Sequence, residues 1–487
     1  MRNLTLLTDL YQLTMGYGFY RQNKHEEEVV FDLFFRRNKL ITYSIAAGLQ
    51  DAVKYLLNWR FDEDDIEYLE SLRLFDEGFL EYLKNMRFTG DLYAVKEGEP
   101  VFPGEPILTI KAPLIQAQFA ETALLNLINH QTLIATKSSK ICRATAGKGF
   151  VMEFGLRRAQ GPDAGINGAR AAIIGGCSST SNVIAGQKFD VPVAGTMAHS
   201  WVMDYDSEYE AFKAYAAAYP DNCLLLVDTY DTLRSGVPNA IKVFKELKAA
   251  GHKPKGIRLD SGDLAYLSKE ARKMMDAAGF PDAIICVSGD LDERSINSLL
   301  QQGAKIDSWG VGTKLITSED LPALGGVYKL SAVIAKDGKI TPKIKLSDNT
   351  EKITNPSFKN LYRLYDKENG MAIADLITLH DEKVDESKPL TIFHPIETWK
   401  KHEVENFYAE PLLHKIVEKG ELVYEFPKLM EVAAFSKAEL AKFWEEYLRL
   451  DMPQVYKVDL SAKLHALKIS MIDAIHARAK KERKDEK

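Results

Sequence analysis

The chain has 487 residues, of which 46% are hydrophobic and 27% charged, a balance typical of packed globular proteins and not of disordered chains. The formal net charge of -6 gives no general field that would attract a nucleic-acid backbone, so we expect no nucleic-acid partner. No apolar stretch is long enough to span a membrane, and the N-terminus lacks a signal-peptide pattern. We therefore expect no membrane association, and a cytoplasmic location in which the four cysteines stay buried thiols.

The first part of the chain predicts helices. Apolar residues at helical spacing indicate helices over 42–60 and 64–84, and a strand, VVFDLFFR, precedes them. Residues 88–110 predict short strands separated by glycine and proline turns, and a long core helix follows Pro113.

A regular alternation of strands and helices occupies the middle of the chain. The predicted strands are FVMEFGL, VPVAGTM, CLLLVDT, KGIRLDS, AIICVSG and SWGVGT. The predicted helices between them are DAGINGARAAIIGGC, DSEYEAFKAYAAAYP, VPNAIKVFKELKAAG, DLAYLSKEARKMMDAAG and DERSINSLLQQG. Such alternation predicts parallel βα units. Beyond Tyr328 the sequence is more polar and predicts a loop-rich region that ends in helices over 438–450 and 461–482.

Each predicted strand of the middle region ends in polar or glycine residues. In a βα barrel these ends converge on one mouth, whereas in an open sheet they spread along an edge. We prefer the barrel because it gathers these residues into one pocket. They comprise the cations Arg157, Arg158, Arg258 and Lys314, the carboxylates Asp228, Asp231, Asp260 and Asp263, the histidine His199, and glycine turns around Gly310 and Gly312.

This mixture of side chains predicts a phosphosugar ligand. Cations and glycine amides suit phosphate groups, and carboxylates among them suit a divalent metal or sugar hydroxyls. The segment Gly310-Val311-Gly312-Thr313 follows an apolar strand and is a candidate phosphate cradle. The segment RLDSGD, from Arg258 to Asp263, predicts a ligand site, a helix cap by Ser261 or Asp260, or both. His199 lies just past a strand end, where histidine can act as acid, charge partner or phosphoryl acceptor. For Phe154, periodicity alone favours a core position.

These residues carry a family resemblance. The chain resembles the nicotinate phosphoribosyltransferases along almost its whole length. The matching segments are LTDLYQLTMGYGF, EFGLRRAQGPDAG, GGCSSTSN, VPVAGTMAHSW, VDTYDTLRSGVPNAI, IRLDSGDL, WGVGTKLITS with VYKL, and KITNPSFKNLYRLYD. At one position, where many members carry asparagine, this chain has Gly289.

The resemblance implies an α/β architecture with an irregular βα barrel and a second, smaller α/β domain built from N-terminal and C-terminal segments. We expect an N-terminal α/β domain over 1–135, the barrel with the active site over 136–340, and C-terminal segments over 341–487 that pack on both. It also implies a homodimer with shared active sites. The implied reaction joins nicotinate to phosphoribosyl pyrophosphate, yields nicotinate mononucleotide and pyrophosphate for NAD biosynthesis or salvage, uses Mg²⁺, and consumes ATP as a co-substrate.

The resemblance also implies roles for individual residues. Nicotinate would be bound by Tyr11, Phe154, Thr196 and Arg258, with Tyr11 contributed by the partner subunit. Arg157, Gly310, Gly312 and Thr313 would bind the phosphosugar. Asp228 and Asp260 would hold ribose hydroxyls or metal-bound water, and His199 would be phosphorylated by ATP.

Three rival functions remain open at this point. A phosphoribosyltransferase for nicotinamide or quinolinate would need an added acceptor or more cations. A metabolite-binding protein without catalysis would not need Asp228, Asp260, Arg258 and His199 together. A barrel aldolase or isomerase would need a lysine or glutamate base at a strand end, and Lys314 is the only comparable lysine in the sequence.

Overall fold

The structure is a computed structural model that describes residues 3–38, 40–397 and 399–485. These residues form two compact units. The first unit contains the chain up to Thr132, Ala323–Pro427 and the chain from Phe435 onward. The second unit contains Leu133–Pro322 and Lys428–Ala434.

The N-terminal part of the first unit contains both helices and strands. Its elements are α1 (Leu10–Arg21), β1 (Glu28–Phe35), β2 (Ser44–Ile45), α2 (Leu49–Leu57), α3 (Glu63–Ser71), α4 (Glu77–Asn85), β3 (Asp91–Ala94), β4 (Pro100–Val101), β5 (Leu108–Pro113) and α5 (Leu114–Phe119). The helix α6 (Glu121–Ala144) begins in the first unit and continues into the second unit from Leu133. The helix predicted over 42–60 starts too early, because residues 44–45 pair with β4. The helix predicted over 64–84 is two helices, since Asp62 and Asp76 each cap a separate N-terminus.

The second unit contains the predicted alternation. Its elements are β6 (Phe150–Glu153), α7 (Pro162–Ile174), β7 (Ser179–Thr180), α8 (Val183–Phe189), α9 (His199–Met203), α10 (Glu208–Ala218), β8 (Leu224–Leu226), α11 (Val237–Ala249), β9 (Gly256–Leu259), α12 (Leu264–Ala277), β10 (Ile284–Gly289), α13 (Glu293–Gln301), β11 (Ser308–Val311) and α14 (Thr313–Ile316). All five predicted helices are confirmed.

The strands of the second unit form one parallel sheet in the order β7-β6-β11-β10-β9-β8. Apolar side chains such as Ile257, Val287 and Trp309 are fully buried around it. The parallel α/β prediction is confirmed, and closure into a barrel stays a prediction. The predicted strand VPVAGTM is wrong: only Val193 bridges to Thr180. Pro192 has no N–H to continue a ladder.

The C-terminal part of the chain is rich in strands. Its elements are β12 (Gly326–Ile334), β13 (Ile340–Pro342), β14 (Lys359–Asp366), β15 (Ala372–Leu379), β16 (Leu390–Phe393), β17 (Lys401–Val404), β18 (Phe407–Pro411), β19 (His414–Glu418), β20 (Glu421–Leu422), α15 (Leu429–Leu440), α16 (Glu445–Leu448), β21 (Val458–Leu460) and α17 (Ala462–Asp485). The loop-rich prediction is therefore wrong. The helix over 461–482 is confirmed as α17, whereas the helix predicted over 438–450 is wrong, because α15 ends at Leu440 and the short α16 follows.

Two larger sheets organise the first unit. One has the order β13-β12-β1-β5-β3-β19-β20, and the other has the order β17-β16-β21-β15-β14-β18. Fully and partly buried residues alternate along much of β14, as expected of a strand with one face on the core. Among the helices of the described ranges, none is both long enough and apolar enough to cross a bilayer.

A buried ionic cluster joins the second of these sheets to the β4 segment. Arg363 on β14 is fully buried, and its Nε and Nη2 donate to the two carboxylate oxygens of Asp375 at 2.8 and 2.7 Å. Nη1 donates to Glu99, and Nη2 also donates to the Pro100 carbonyl at 2.7 Å. Burial raises the pKa of Glu99 to about 7, so the arginine is needed to keep this group of carboxylates in the interior.

We expect Arg363→Ala to lower the free energy of unfolding by about 3–5 kcal/mol, because it leaves buried carboxylates without their cation. Urea denaturation measures this loss. Lys388→Ala is the control, since Lys388 pairs with Asp385 on the surface and such exposed pairs contribute at most about 1 kcal/mol. Equal urea midpoints for the two variants would contradict the expectation.

Candidate active site

The parallel strands of the second unit end at an arginine that is held by three side chains. Arg258 lies on β9, and its Nη1 donates to Thr196 Oγ1 at 2.8 Å. Its Nε donates to Ser288 Oγ on β10 at 2.8 Å, and its Nη2 donates to Asp260 Oδ1 at 2.8 Å. The guanidinium is thus fixed in position, and among the described residues one N–H on each Nη has no acceptor.

Asp260 follows β9 and is the centre of charge in this group. Burial would raise the pKa of its carboxyl, but the hydrogen bond from Ser288 and the charge of Arg258 lower the pKa below its ordinary value. Its Oδ2 lies 3.9 Å from Nε2 of His199. An ionised carboxylate therefore lies between the arginine and the histidine.

His199 is the first residue of α9. Its Nδ1 lies 3.1 Å from Thr229 Oγ1, just beyond β8, and its side chain is 39% exposed. The ring is oriented by Thr229 on one side and by Asp260 on the other. The ring remains partly open to solvent.

Asp228 lies two residues beyond β8, and one of its carboxylate oxygens is satisfied while the other is not. Its Oδ2 accepts from the Asp260 backbone N–H at 2.8 Å and from Ser261 Oγ at 2.7 Å. Its Oδ1 is buried, without a hydrogen-bond partner in the described chain. This orphaned oxygen could accept a sugar hydroxyl or a metal-bound water.

The carboxylates fit a magnesium ion that takes most of its ligands from water and substrate, and not a dedicated metal cage. The part of the chain that the structure describes contains no group of three or more His, Cys, Asp or Glu side chains arranged to hold a metal. Mg²⁺ commonly uses one or two carboxylates and takes its other ligands from water and substrate phosphates. Asp228 and Asp260 match that pattern.

The helix after RLDSGD is capped by Asp263. Its carboxylate accepts from the backbone N–H of Tyr266 at 3.0 Å, so the alternative caps Ser261 and Asp260 are wrong. Those two residues face Asp228 and Arg258 instead, because the chain needs two further residues to turn from β9 into α12.

Phe154 lies beside the arginine. It is half-buried, so the core position favoured by periodicity is wrong, and the Arg258 guanidinium carbon lies 5.7 Å from its ring centroid. A Cβ on Gly310 would approach the ring to 2.6 Å. Glycine at position 310 therefore makes room for the ring at the strand ends.

A buried carboxylate holds the turn that carries Phe154. Glu153 is fully buried, and burial raises the pKa of its carboxyl. It accepts from Thr180 Oγ1 at 2.6 Å and from the Gly155 backbone N–H. These contacts fix the backbone on both sides of Phe154.

Of the predicted phosphate residues, Gly310 lies within β11, and the others lie on the neighbouring turns. Gly312 precedes α14, and Thr313 is its first residue, where backbone N–H groups lack partners within the helix. Arg157 is exposed on the short 3₁₀ helix Leu156–Arg158. Lys314 donates to Asp292 at 3.1 Å, which makes it a poor candidate for a free base. Tyr11 lies in the first unit on α1 and is exposed.

Gly289 has a structural reason to be glycine. Its φ is +120°, and a Cβ there would lie 3.0 Å from the Asp260 carbonyl oxygen. Such a φ lies outside the left-handed region that asparagine tolerates. At Gly289 the backbone therefore passes close to the backbone of Asp260.

We expect Gly310→Ala to displace the Phe154 ring, because its new methyl group would overlap the ring edge. A loss of about 1–3 kcal/mol from overpacking would raise the KM of a substrate that packs on the Phe154 ring about tenfold or more. Gly18→Ala is the control, since a Cβ there meets no atom within 4 Å. An unchanged KM in steady-state kinetics would contradict this packing account.

The sequence predicts no role for the contact residues Ser288 and Thr229, and for Ser261 it predicts only a helix cap. Ser288, Thr229 and Ser261 hold Arg258, His199 and Asp228 respectively. Their one signal was their place at or just beyond predicted strand ends. Single hydroxyls are too common at such places to be assigned a partner without coordinates.

Fold and site together define an α/β protein with a cluster of charged and hydroxyl side chains at the ends of its parallel strands. Three family models match the chain: the nicotinate phosphoribosyltransferase N-terminal domain over residues 6–129, the nicotinate phosphoribosyltransferase family over 150–378, and its C-terminal domain over 358–468. A nicotinate phosphoribosyltransferase of Bacillus subtilis (strain 168) is 50% identical over 99% of this chain and 98% of its own length. The chain belongs to the nicotinate phosphoribosyltransferase family.

Two solved structures have a similar fold. The crystal structure of human nicotinic acid phosphoribosyltransferase matches with a TM-score of 0.84 and 32% identity, covering 95% of this chain and 99% of that one. A nicotinate-nucleotide pyrophosphorylase from Pyrococcus furiosus matches with a TM-score of 0.68 and 25% identity, covering 90% and 96% of the two chains.

Proposed function

We propose that this enzyme joins nicotinate to phosphoribosyl pyrophosphate, giving nicotinate mononucleotide and pyrophosphate, in cytoplasmic NAD biosynthesis or salvage. We further propose that the reaction is coupled to ATP hydrolysis through a phosphohistidine at His199. The observation that carries the proposal is Arg258, a fixed guanidinium beside an aromatic ring at the strand ends. That arrangement suits a planar acid.

Nicotinate would lie with its ring against Phe154 and its carboxylate on Arg258 and Thr196. The free N–H groups of Arg258 match the two oxygens of a carboxylate, and the ring face offers stacking area. In a homodimer, Tyr11 of the partner subunit would cover the second face of the ring. The exposure of Tyr11 in the single chain is compatible with that role.

The phosphosugar would take the turns around the same site. Arg157 and the backbone N–H groups near Gly310, Gly312 and Thr313 supply positive potential for phosphate oxygens. Asp228 and Asp260 would accept the ribose hydroxyls, for which Asp228 has a free oxygen. Bound Mg²⁺ would neutralise the charge of the diphosphate near these two carboxylates.

The transfer itself asks for positioning and charge stabilisation. Breaking the bond between the anomeric carbon and pyrophosphate develops positive charge on the sugar, as in glycoside transfer. The carboxylates stabilise the positive charge on the sugar, while cations stabilise the negative charge on the leaving pyrophosphate. The pyridine nitrogen attacks with its own lone pair, so the site needs no general base. Lys314, the lysine that an aldolase or isomerase would use as its base, therefore has no such role in this reaction.

His199 would accept the terminal phosphoryl group of ATP: its ring nitrogen forms a P–N bond while the P–O bond to ADP breaks. The phosphoryl group adds about two negative charges beside the pyrophosphate site. We propose that this charge reorganises the site and favours product, after which water hydrolyses the P–N bond. The open position of the ring between Thr229 and Asp260 supports this role.

A turnover assay separates the candidate ring substrates. Purified enzyme receives phosphoribosyl pyrophosphate, Mg²⁺ and either nicotinate, nicotinamide or quinolinate, each with and without ATP. We expect pyrophosphate release with nicotinate, enhanced by ATP. A preference for another ring would refute the assigned substrate, and no release with any ring would favour a binding protein without catalysis.

A further inference from the structure

Ser288 links the arginine and the carboxylate at the centre of the site. It lies at the end of β10 and is 3% exposed. Its hydroxyl oxygen accepts from Arg258 Nε at 2.8 Å, and its O–H donates to Asp260 Oδ1. One hydroxyl therefore serves both members of the ion pair, and both of its partners come from the neighbouring strand β9 and the turn after it.

The Nε contact determines how the guanidinium is aimed. Thr196 and Asp260 hold the two Nη groups, but the carboxylate of Asp260 can follow the arginine if the side chain rotates. Ser288 is carried on a buried strand and cannot follow it. With Nε fixed, the remaining N–H groups of Arg258 point in one direction, which is the condition for bidentate binding of a planar carboxylate.

The surroundings of Ser288 restrict this position to a small side chain. Ser288 pairs with Gly310 in the register of β10 and β11, and a Cβ on Gly310 would lie 3.2 Å from the Ser288 Cβ. Next in the chain, Gly289 passes close to the Asp260 backbone. A serine supplies a hydroxyl here, whereas a larger side chain would have little space.

We propose that Ser288 is a positioning residue that aims Arg258 at the carboxylate of the ring substrate and so determines the preference for an acid over its amide. This inference rests on the proposed function. Ser288 itself need not touch the substrate, because both of its hydrogen bonds are made to Arg258 and Asp260. Its removal should therefore weaken binding of the charged ring more than binding of the phosphosugar, because Asp260 keeps its hydrogen bond from Arg258.

The test is Ser288→Ala, with Ser308→Ala as the matched control. Ser308 is fully buried on the adjacent strand β11. It pairs with Cys286 and lies two positions before Gly310, the residue that pairs with Ser288. For Ser288→Ala we expect a KM for nicotinate raised roughly tenfold, the effect of one lost hydrogen bond to a charged group. The KM for phosphoribosyl pyrophosphate should rise clearly less than the KM for nicotinate, because Asp260 keeps its bond from Arg258. The inhibition constant of nicotinamide should change less than about twofold. Ser308→Ala should change none of the three.

Other outcomes overturn the proposal. An unchanged KM for nicotinate in Ser288→Ala would show that the hydroxyl does not aim the arginine. An equal loss with nicotinate, nicotinamide and phosphoribosyl pyrophosphate, or loss of the fold in urea denaturation, would make the role of Ser288 structural. Wild-type enzyme that does not turn over nicotinate would refute the proposed function itself, and the wild-type assay distinguishes that failure from the others.

Discussion

Arg258→Ala is expected to lower kcat/KM for nicotinate on the order of a hundredfold, equivalent to about 3 kcal/mol. The variant removes the cation that the substrate carboxylate would contact and leaves Asp260 without its ion-pair partner. Arg258→Lys should recover little of the loss, because a lysine cannot reach Ser288, Thr196 and Asp260 at once with a planar fork. Steady-state kinetics with nicotinate as the varied substrate measure both variants.

Arg272→Ala is the matched control for that experiment. Arg272 lies in the same unit, its side chain is 17% exposed against 16% for Arg258, and it also makes three hydrogen bonds, to Asp276, Ala283 and Phe280. It lies on α12, and its partners are residues of that helix and of the turn that follows. A similar fall in kcat/KM for both arginine variants would assign the loss to folding and not to the carboxylate.

His199→Ala is expected to abolish ATP coupling and to leave slow transfer that no longer depends on ATP. The variant removes the ring nitrogen that would accept the phosphoryl group, so ATP hydrolysis during turnover should fall on the order of a hundredfold or more. Asp228, Arg258 and Phe154 remain, so the basal transfer should persist. The measurement is nicotinate mononucleotide and ADP formed together, with and without ATP.

His252→Ala controls for the loss of any histidine. His252 pairs with Asp221 at 2.8 Å on the surface of the same unit, so its removal should leave ATP stimulation intact. Unchanged ATP stimulation in His199→Ala would refute the phosphohistidine assignment. Complete loss of transfer in His199→Ala would instead place the histidine in the transfer step itself.

Part of the site could be predicted from the strand ends alone. The carboxyl ends of parallel strands lie at one edge, and Arg258, Asp260 and Asp228 each end or follow such a strand. His199 instead follows the irregular segment VPVAGTM. Their contacts confirm that the chain brings them together. The predictions failed where a local rule was overridden, as at VPVAGTM, where a proline interrupts the pairing.

The sheets of the C-terminal part could not be predicted in the same way. Strands such as β14 have only one face on the core, so polar residues interrupt their apolar pattern. Their partners also lie far away in the sequence: β12 pairs with β1 across about 300 residues, as in Phe31 with Leu330. Pairing over such a distance leaves no pattern in the local sequence. For that reason the sequence predicted loops where the structure has strands.

The roles of the hydroxyl side chains in the site could not be predicted for a different reason. The sequence contains Ser288 at a strand end, but its role depends on the approach of Arg258 Nε and Asp260 Oδ1 from another strand. The distance between adjacent strands is nearly the same in all parallel sheets. The side-chain rotamers that bring these atoms together are particular to this structure. Side-chain partners across strands therefore need coordinates.

A crystal structure of the enzyme with nicotinate mononucleotide tests the central claim most directly. We predict the pyridine carboxylate on Arg258, the ring against Phe154, and the 5-phosphate on the turn at Gly312 and Thr313. A nucleotide bound elsewhere in the molecule, or bound with its carboxylate turned away from Arg258, would contradict the account.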